Sequence, residues 1–183
     1  IKKKMNLIID CNDYDYENDK IFIKELSITS VKPGKDGKYK EGHYVFKPPC
    51  TWEELSTRLQ QYYKVDEENS RIKWEDGEHE AASQRTILND WIKHANRIFV
   101  IDEDIKNKLK KIVPIKKQII CFNENLKVLF EYSTGAECQS HYDPDESICT
   151  KKNVRKMREF LNKRQHVTRD FYKEQMLKKK QKK

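Results

Sequence analysis

Apolar residues fall in short runs between charged stretches, and the first runs set the frame. Asn6 to Ile9 is unbroken and apolar up to Asp10, the pattern of a strand covered on both faces. Ile21 to Val31 predicts a second strand, with a bulge expected towards its far end. Pro33-Gly34-Lys35-Asp36-Gly37 is a turn signal. His43 to Phe46 then predicts a third strand, stopped by Pro48 and Pro49, so the opening reads as an antiparallel meander.

From Thr51 the period changes. Thr51-Trp52-Glu53-Glu54 has the form of a capping box and predicts a helix to Tyr63, with Trp52, Leu55, Leu59 and Tyr62 on one face. The stretch 66–77 is polar and irregular, anchored by Ile72 and Trp74. A second helix is predicted over Glu80 to Ala95, and a buried strand over Arg97 to Ile101, ending in Asp102-Glu103-Asp104. A helix from Ile105 to Val113, a strand from Gln118 to Phe122 and a helix over 124–132 follow. Gly135 to Ile148 reads as a loop, and Lys151 to Arg164 as a helix with Val154, Met157, Phe160 and Leu161 on its apolar face. This order predicts an α/β fold: a mixed sheet of three antiparallel then two parallel strands, flanked by helices with right-handed crossovers. One domain is expected over 5–164, with a basic, partly disordered tail over 165–183.

Composition sharpens this in two ways. Five cysteines, an odd number scattered through 183 residues, fit a reducing compartment better than a disulfide framework. With no stretch of membrane-span length, an intracellular, soluble protein is expected. The net charge of +8 is unevenly placed. From Lys151 onward there are 14 Lys/Arg and 3 Asp/Glu, so the basic character belongs to the tail. Such a tail suits a polyanion, because neutralised phosphates release counterions. Lys151, Lys152, Arg155, Lys156, Arg158, Lys163 and Arg164 are the candidate nucleic-acid contacts, with DNA or RNA left open.

The carboxylates suggest a second chemistry. Asp10-Cys11-Asn12 ends the first strand, Lys24-Glu25-Leu26-Ser27 lies in the second, Asp104 and Asn107 follow the fourth, and Cys149 and Asn153 open the last helix. In element order and in these positions the chain resembles the DEDD family of 3′–5′ exonucleases, which have a ribonuclease H-like fold. The resemblance implies a site at Asp10, Asn12, Asp104 (or Asn107) and Asn153, with His141 as base. It also implies two magnesium or manganese ions for phosphodiester cleavage. Two of these positions are amides and Cys149 stands in the family's histidine position, so a degenerate member with an eroded metal site is expected. Helix capping is the competing role for Asp102 and Asp104.

Cys138-x-x-His141-x7-Cys149 offers a third possibility. Two thiolates and an imidazole within twelve residues suit a structural zinc, with Cys121 or an acid as fourth ligand. The expected function is therefore nucleic-acid binding on an exonuclease-like fold. The alternatives are an active metal-dependent 3′–5′ exonuclease and a protein-interaction module built on the zinc loop.

Overall fold

The computed structural model describes residues 4–16, 20–122 and 135–163. Five strands form one mixed sheet: β1 (Met5–Tyr16), β2 (Lys20–Ser30), β3 (Glu41–Val45), β4 (Ala95–Val100) and β5 (Gln118–Cys121). Their order is β3-β2-β1-β4-β5. β1 pairs antiparallel with β2 and parallel with β4, β2 pairs antiparallel with β3, and β4 pairs parallel with β5. The predicted α/β class and mixed sheet are present. Among the described residues the helices are α1 (Thr57–Ser70), α2 (Gln84–Ile92), α3 (Glu103–Ile112) and α4 (Thr150–Lys163), with a short 3₁₀ turn at Ala81–Ser83 ahead of α2. Among the described residues no helix is long and apolar enough to cross a membrane.

Several boundaries differ from the sequence expectation. β1 does not stop at Asp10 but continues to Tyr16, because β2 pairs along its whole length. Tyr14 then packs edge-on against Tyr63 and Trp74, so the extension is buried. The register shifts where Asn12 faces Glu25 and Asp13 faces Ile23, which leaves Lys24 as the extra residue in mid-strand. Its side chain is fully buried, and its ammonium donates to the carbonyls of Phe46, Trp74 and Asp76. α1 starts later than the capping box suggests. Glu54 accepts from the Thr51 amide at 2.7 Å within a turn, and Ser56 instead caps the helix, accepting from the Leu59 amide. The helix then runs through residues expected to be irregular. The predicted helix over 124–132 and the tail over 165–183 lie outside the described residues.

α4 packs along β1 and β2. Strand alternation turns Asp10, Asn12, Glu25, Ser27 and Thr29 to one face of this pair, and Ile9, Cys11, Leu26 and Ile28 to the other. The latter four belong to the core. The polar set lies under α4, whose Val154, Met157 and Leu161 are buried. A helix laid over buried polar groups needs partners for them, and these partners make the sites described next.

Candidate functional site

Two groups of polar side chains meet around the middle of β1, beyond the carboxyl end of β4. The first is a cleft of about 320 Å³ lined by Asp10, Asn12, Asp13, Asp102, Asp104 and Asn153, among others. The structure therefore brings together four of the five residues expected from the resemblance. Asp10 is buried, and the Asn153 amide donates to its Oδ2 at 2.9 Å. Burial raises the Asp10 carboxyl to about 7, the Asn153 amide acts against this, and the nearby Glu25 carboxylate adds to it. Asn12 donates to Glu25 Oε2 at 2.9 Å and to the Ile148 carbonyl at 3.2 Å. Asp102 caps α3 by accepting from the Ile105 amide at 2.9 Å.

Between the remaining acids stands a lysine. Lys108 Nζ lies 2.7 Å from Asp13 Oδ1 and 2.6 Å from Asp104 Oδ2. Burial works against its charge, but the two carboxylates outweigh this and hold the ammonium above its ordinary value. The residues do not fit a two-magnesium centre. Magnesium takes about six oxygens in near-octahedral geometry. Here a fixed cation already neutralises two acids, and two amide NH₂ groups point at carboxylates.

The second group lies deeper, between β2 and the loop before α4. Glu25, Cys138, His141 and Cys149 bring one donor atom each to within 4.8 Å of one another, and this cluster is able to hold a metal ion. Cys138 Sγ and Cys149 Sγ are 3.7 Å apart. Glu25 Oε1 lies 3.8 Å from Cys138 Sγ, 3.9 Å from Cys149 Sγ and 3.2 Å from His141 Nε2. Tetrahedral zinc, with bonds of about 2.3 Å to sulfur and about 2.0 Å to nitrogen and oxygen, separates two sulfurs by about 3.8 Å and a nitrogen–oxygen pair by about 3.3 Å.

The orientation of these ligands is also prepared. His141 Nδ1 bonds to the Ser70 carbonyl, which turns Nε2 towards Glu25; Nε2 itself is buried with no hydrogen-bond partner. Glu25 Oε2 accepts from Asn12 Nδ2 and from the Thr150 amide at 3.2 Å, leaving Oε1 to the cluster. Ligand groups held by a second ring of hydrogen bonds are characteristic of metal centres. Without a metal, protons must separate these donors. Cys149, hydrogen-bonded to Cys138, is pushed up to about 12, while the same contact holds Cys138 below its ordinary value. Burial opposes the charge on His141, yet Cys149 and Glu25 raise it to about 10.

His141 thus sits beside Cys138 and Cys149 and does not line the cleft, where the resemblance needs a base. Cys121 is not the fourth member of the cluster; its thiol donates to Glu103 at 3.2 Å. The acid is Glu25, which the sequence alone does not single out. Its signal was a pair of charges, Lys24 and Glu25, inside an otherwise apolar strand.

The basic helix face is partly committed to internal pairs. Arg155 bonds to Glu137 and Glu41, and Arg158 to Glu41 and Thr29 while stacking over Tyr39. Both guanidinium groups are thus already paired with carboxylates of the same chain. Lys151, Lys152 and Lys156 are half-buried, Lys163 is exposed, and Arg164 lies outside the described residues. No known family model matches the chain, and no curated protein matches its sequence.

Proposed function

We propose that this chain is a nucleic-acid-binding protein built on an exonuclease-like, ribonuclease H-like arrangement that has lost its two-metal chemistry. The observation that carries the reading is the Lys108 ammonium held between Asp13 and Asp104. An ammonium neutralises carboxylates as a metal does, but it has no open coordination position and cannot generate hydroxide from bound water. The strand order and the buried Asp10 of β1, placed just beyond the carboxyl end of β4, support the ancestry. The excess of basic residues after Lys151 supports the ligand class.

The same reading assigns zinc to Glu25, Cys138, His141 and Cys149. Two sulfurs, one imidazole and one carboxylate form a donor set that zinc accepts and magnesium does not. All four members are protein ligands, so the role is structural: the ion would tie β2 to the loop and to the start of α4. Zinc would displace the protons that the thiols and imidazole otherwise share.

A time course with a 5′-labelled single-stranded oligonucleotide, in manganese and in EDTA, tests the reading. Binding with intact substrate in both conditions is expected. Laddering from the 3′ end that needs manganese and disappears in Asp10→Asn would sink it in favour of a working nuclease. Failure to bind any oligonucleotide at low salt would remove the nucleic-acid reading altogether.

A further inference from the structure

We infer that the nucleic acid strand is held through its phosphates at the opposite end of the sheet from Asp10, in a lysine-lined cleft between the β2–β3 loop and the starts of β1 and β4. The inference rests on the nucleic-acid reading above and specifies its surface. The cleft is the larger of the two, about 670 Å³, and its lining includes Lys4, Lys32, Lys35, Lys40 and His94. None of its lining residues is acidic. All four lysines are exposed, and among the described residues no ion pair engages them. The first cleft is the reverse: Asp10, Asp13, Asp66, Asp102 and Asp104 surround a single lysine there. A phosphodiester chain is repelled at that end and attracted at this one.

Lys32, Lys35 and Lys40 stand on a loop with defined geometry. The Val31 amide donates to the Asn6 carbonyl at 2.9 Å, fastening the loop to β1. Ser30 and Lys40 close its base, with the Ser30 amide donating to the Lys40 carbonyl at 2.8 Å and the Lys40 amide to Ser30 Oγ at 3.0 Å. At the tip the Gly34 amide donates to the Lys38 carbonyl at 2.7 Å, and Gly37 takes φ 74°, a turn conformation that favours glycine. Ordering cost on binding is thus confined to the side chains.

α4 leads to the same end. It begins at Thr150, against Ser27 and Glu25, and finishes near Tyr39, which receives a bond from Asn162 and the Arg158 stack. Beyond Lys163 the sequence continues with eight Lys/Arg and two Asp/Glu, and before Lys4 it carries Lys2 and Lys3. Both basic segments are therefore joined to the chain at the pole that holds the cleft. A membrane surface fits less well. The site is concave, and the large apolar side chain of its loop, Tyr39, is held against α4 by the Arg158 stack and the bond from Asn162 and is not presented to lipid.

The test measures fluorescence anisotropy of a 5′-fluorescein single-stranded 30-mer with the full chain over a salt series. Lys32→Glu/Lys35→Glu/Lys40→Glu is compared with a charge-matched control away from the cleft, Lys64→Glu/Lys110→Glu/Lys111→Glu on α1 and α3. The cleft triple variant is expected to lose at least tenfold in affinity at low salt, and the slope of log affinity on log salt should fall by about 2. In parallel, bound oligonucleotide should protect Lys32, Lys35 and Lys40 of the unmodified protein from acetylation, read by mass spectrometry. Equal losses in both variants, or no protection while the wild type binds, would overturn the cleft and leave the nucleic-acid reading standing. A wild type that binds phosphatidylserine vesicles but no oligonucleotide would end both.

Discussion

Asp10 shows how one residue reports on the whole site. Its folded value of about 7 lies above the 3.8 of an exposed aspartate, chiefly through burial. The folded state therefore prefers the protonated form, and the associated stability is fully present below about pH 4 and lost as pH rises through about 7. The slope in that window is roughly 1.4 kcal/mol per pH unit. Asp10→Asn keeps an acceptor for the Asn153 amide and removes the titration. Its urea stability should exceed that of wild type at pH 8 by a few kcal/mol at most, a gap that closes towards pH 4. A constant gap across this range would mean that Asp10 is not held as a neutral acid. Glu25 is the second decisive residue. Glu25→Gln retains the volume and a carbonyl but loses the negative charge, so purified protein should carry well under one equivalent of zinc, measured by atomic emission.

At the level of elements, Glu25 joins three segments that are distant in sequence. One oxygen faces Cys138, His141 and Cys149, and the other receives Asn12 and the first amide of α4. Chelation should consequently loosen the loop over 135–149 and the first turn of α4 before it affects the sheet. Amide hydrogen exchange with and without a zinc chelator should show faster exchange there, and unchanged exchange in β1 and β4. Uniform acceleration would indicate that the ion supports the whole fold instead. This organisation was only partly legible in the sequence. The third strand announced itself because Gly34, Gly37, Pro48 and Pro49 bracket it, and the starts of β1 and β4 through the unbroken apolar runs 7–9 and 98–101; the polar second half of β1 did not. The start of α1 did not, because Thr51 and Glu54 spend their capping geometry on a turn and Ser56 takes over one turn later. Cys138, His141 and Cys149 were visible through their spacing. Glu25 lies 113 residues from Cys138, and nothing local marks that meeting. Lys108 likewise reads as an ordinary charge on α3 until the fold places it between two acids.

Across the whole molecule the two candidate centres should separate by metal. The Asp10 cleft contains a built-in cation, Lys108, so added magnesium or manganese finds Asp13 and Asp104 already engaged there. The Glu25 cluster presents soft donors at tetrahedral spacing and should select zinc. Ligand that binds only the folded chain stabilises it by RT ln(1 + [L]/Kd), about 4 kcal/mol at a thousandfold excess over Kd. For a protein of this size about 1 kcal/mol moves Tm by roughly 2 to 4 °C. Zinc added to chelator-stripped protein should therefore raise Tm by about 8 to 16 °C, somewhat less if the unfolded cysteines also bind it. Millimolar manganese added to the zinc-loaded chain should leave Tm within about 1 °C. In Cys149→Ser the zinc response should largely vanish while the manganese response stays flat, because the serine hydroxyl is a poor zinc ligand and does not touch the Lys108 cleft. A clear manganese shift in the zinc-loaded protein would mean that Lys108 yields its place to a metal. The cleft would then be competent for two-metal chemistry after all.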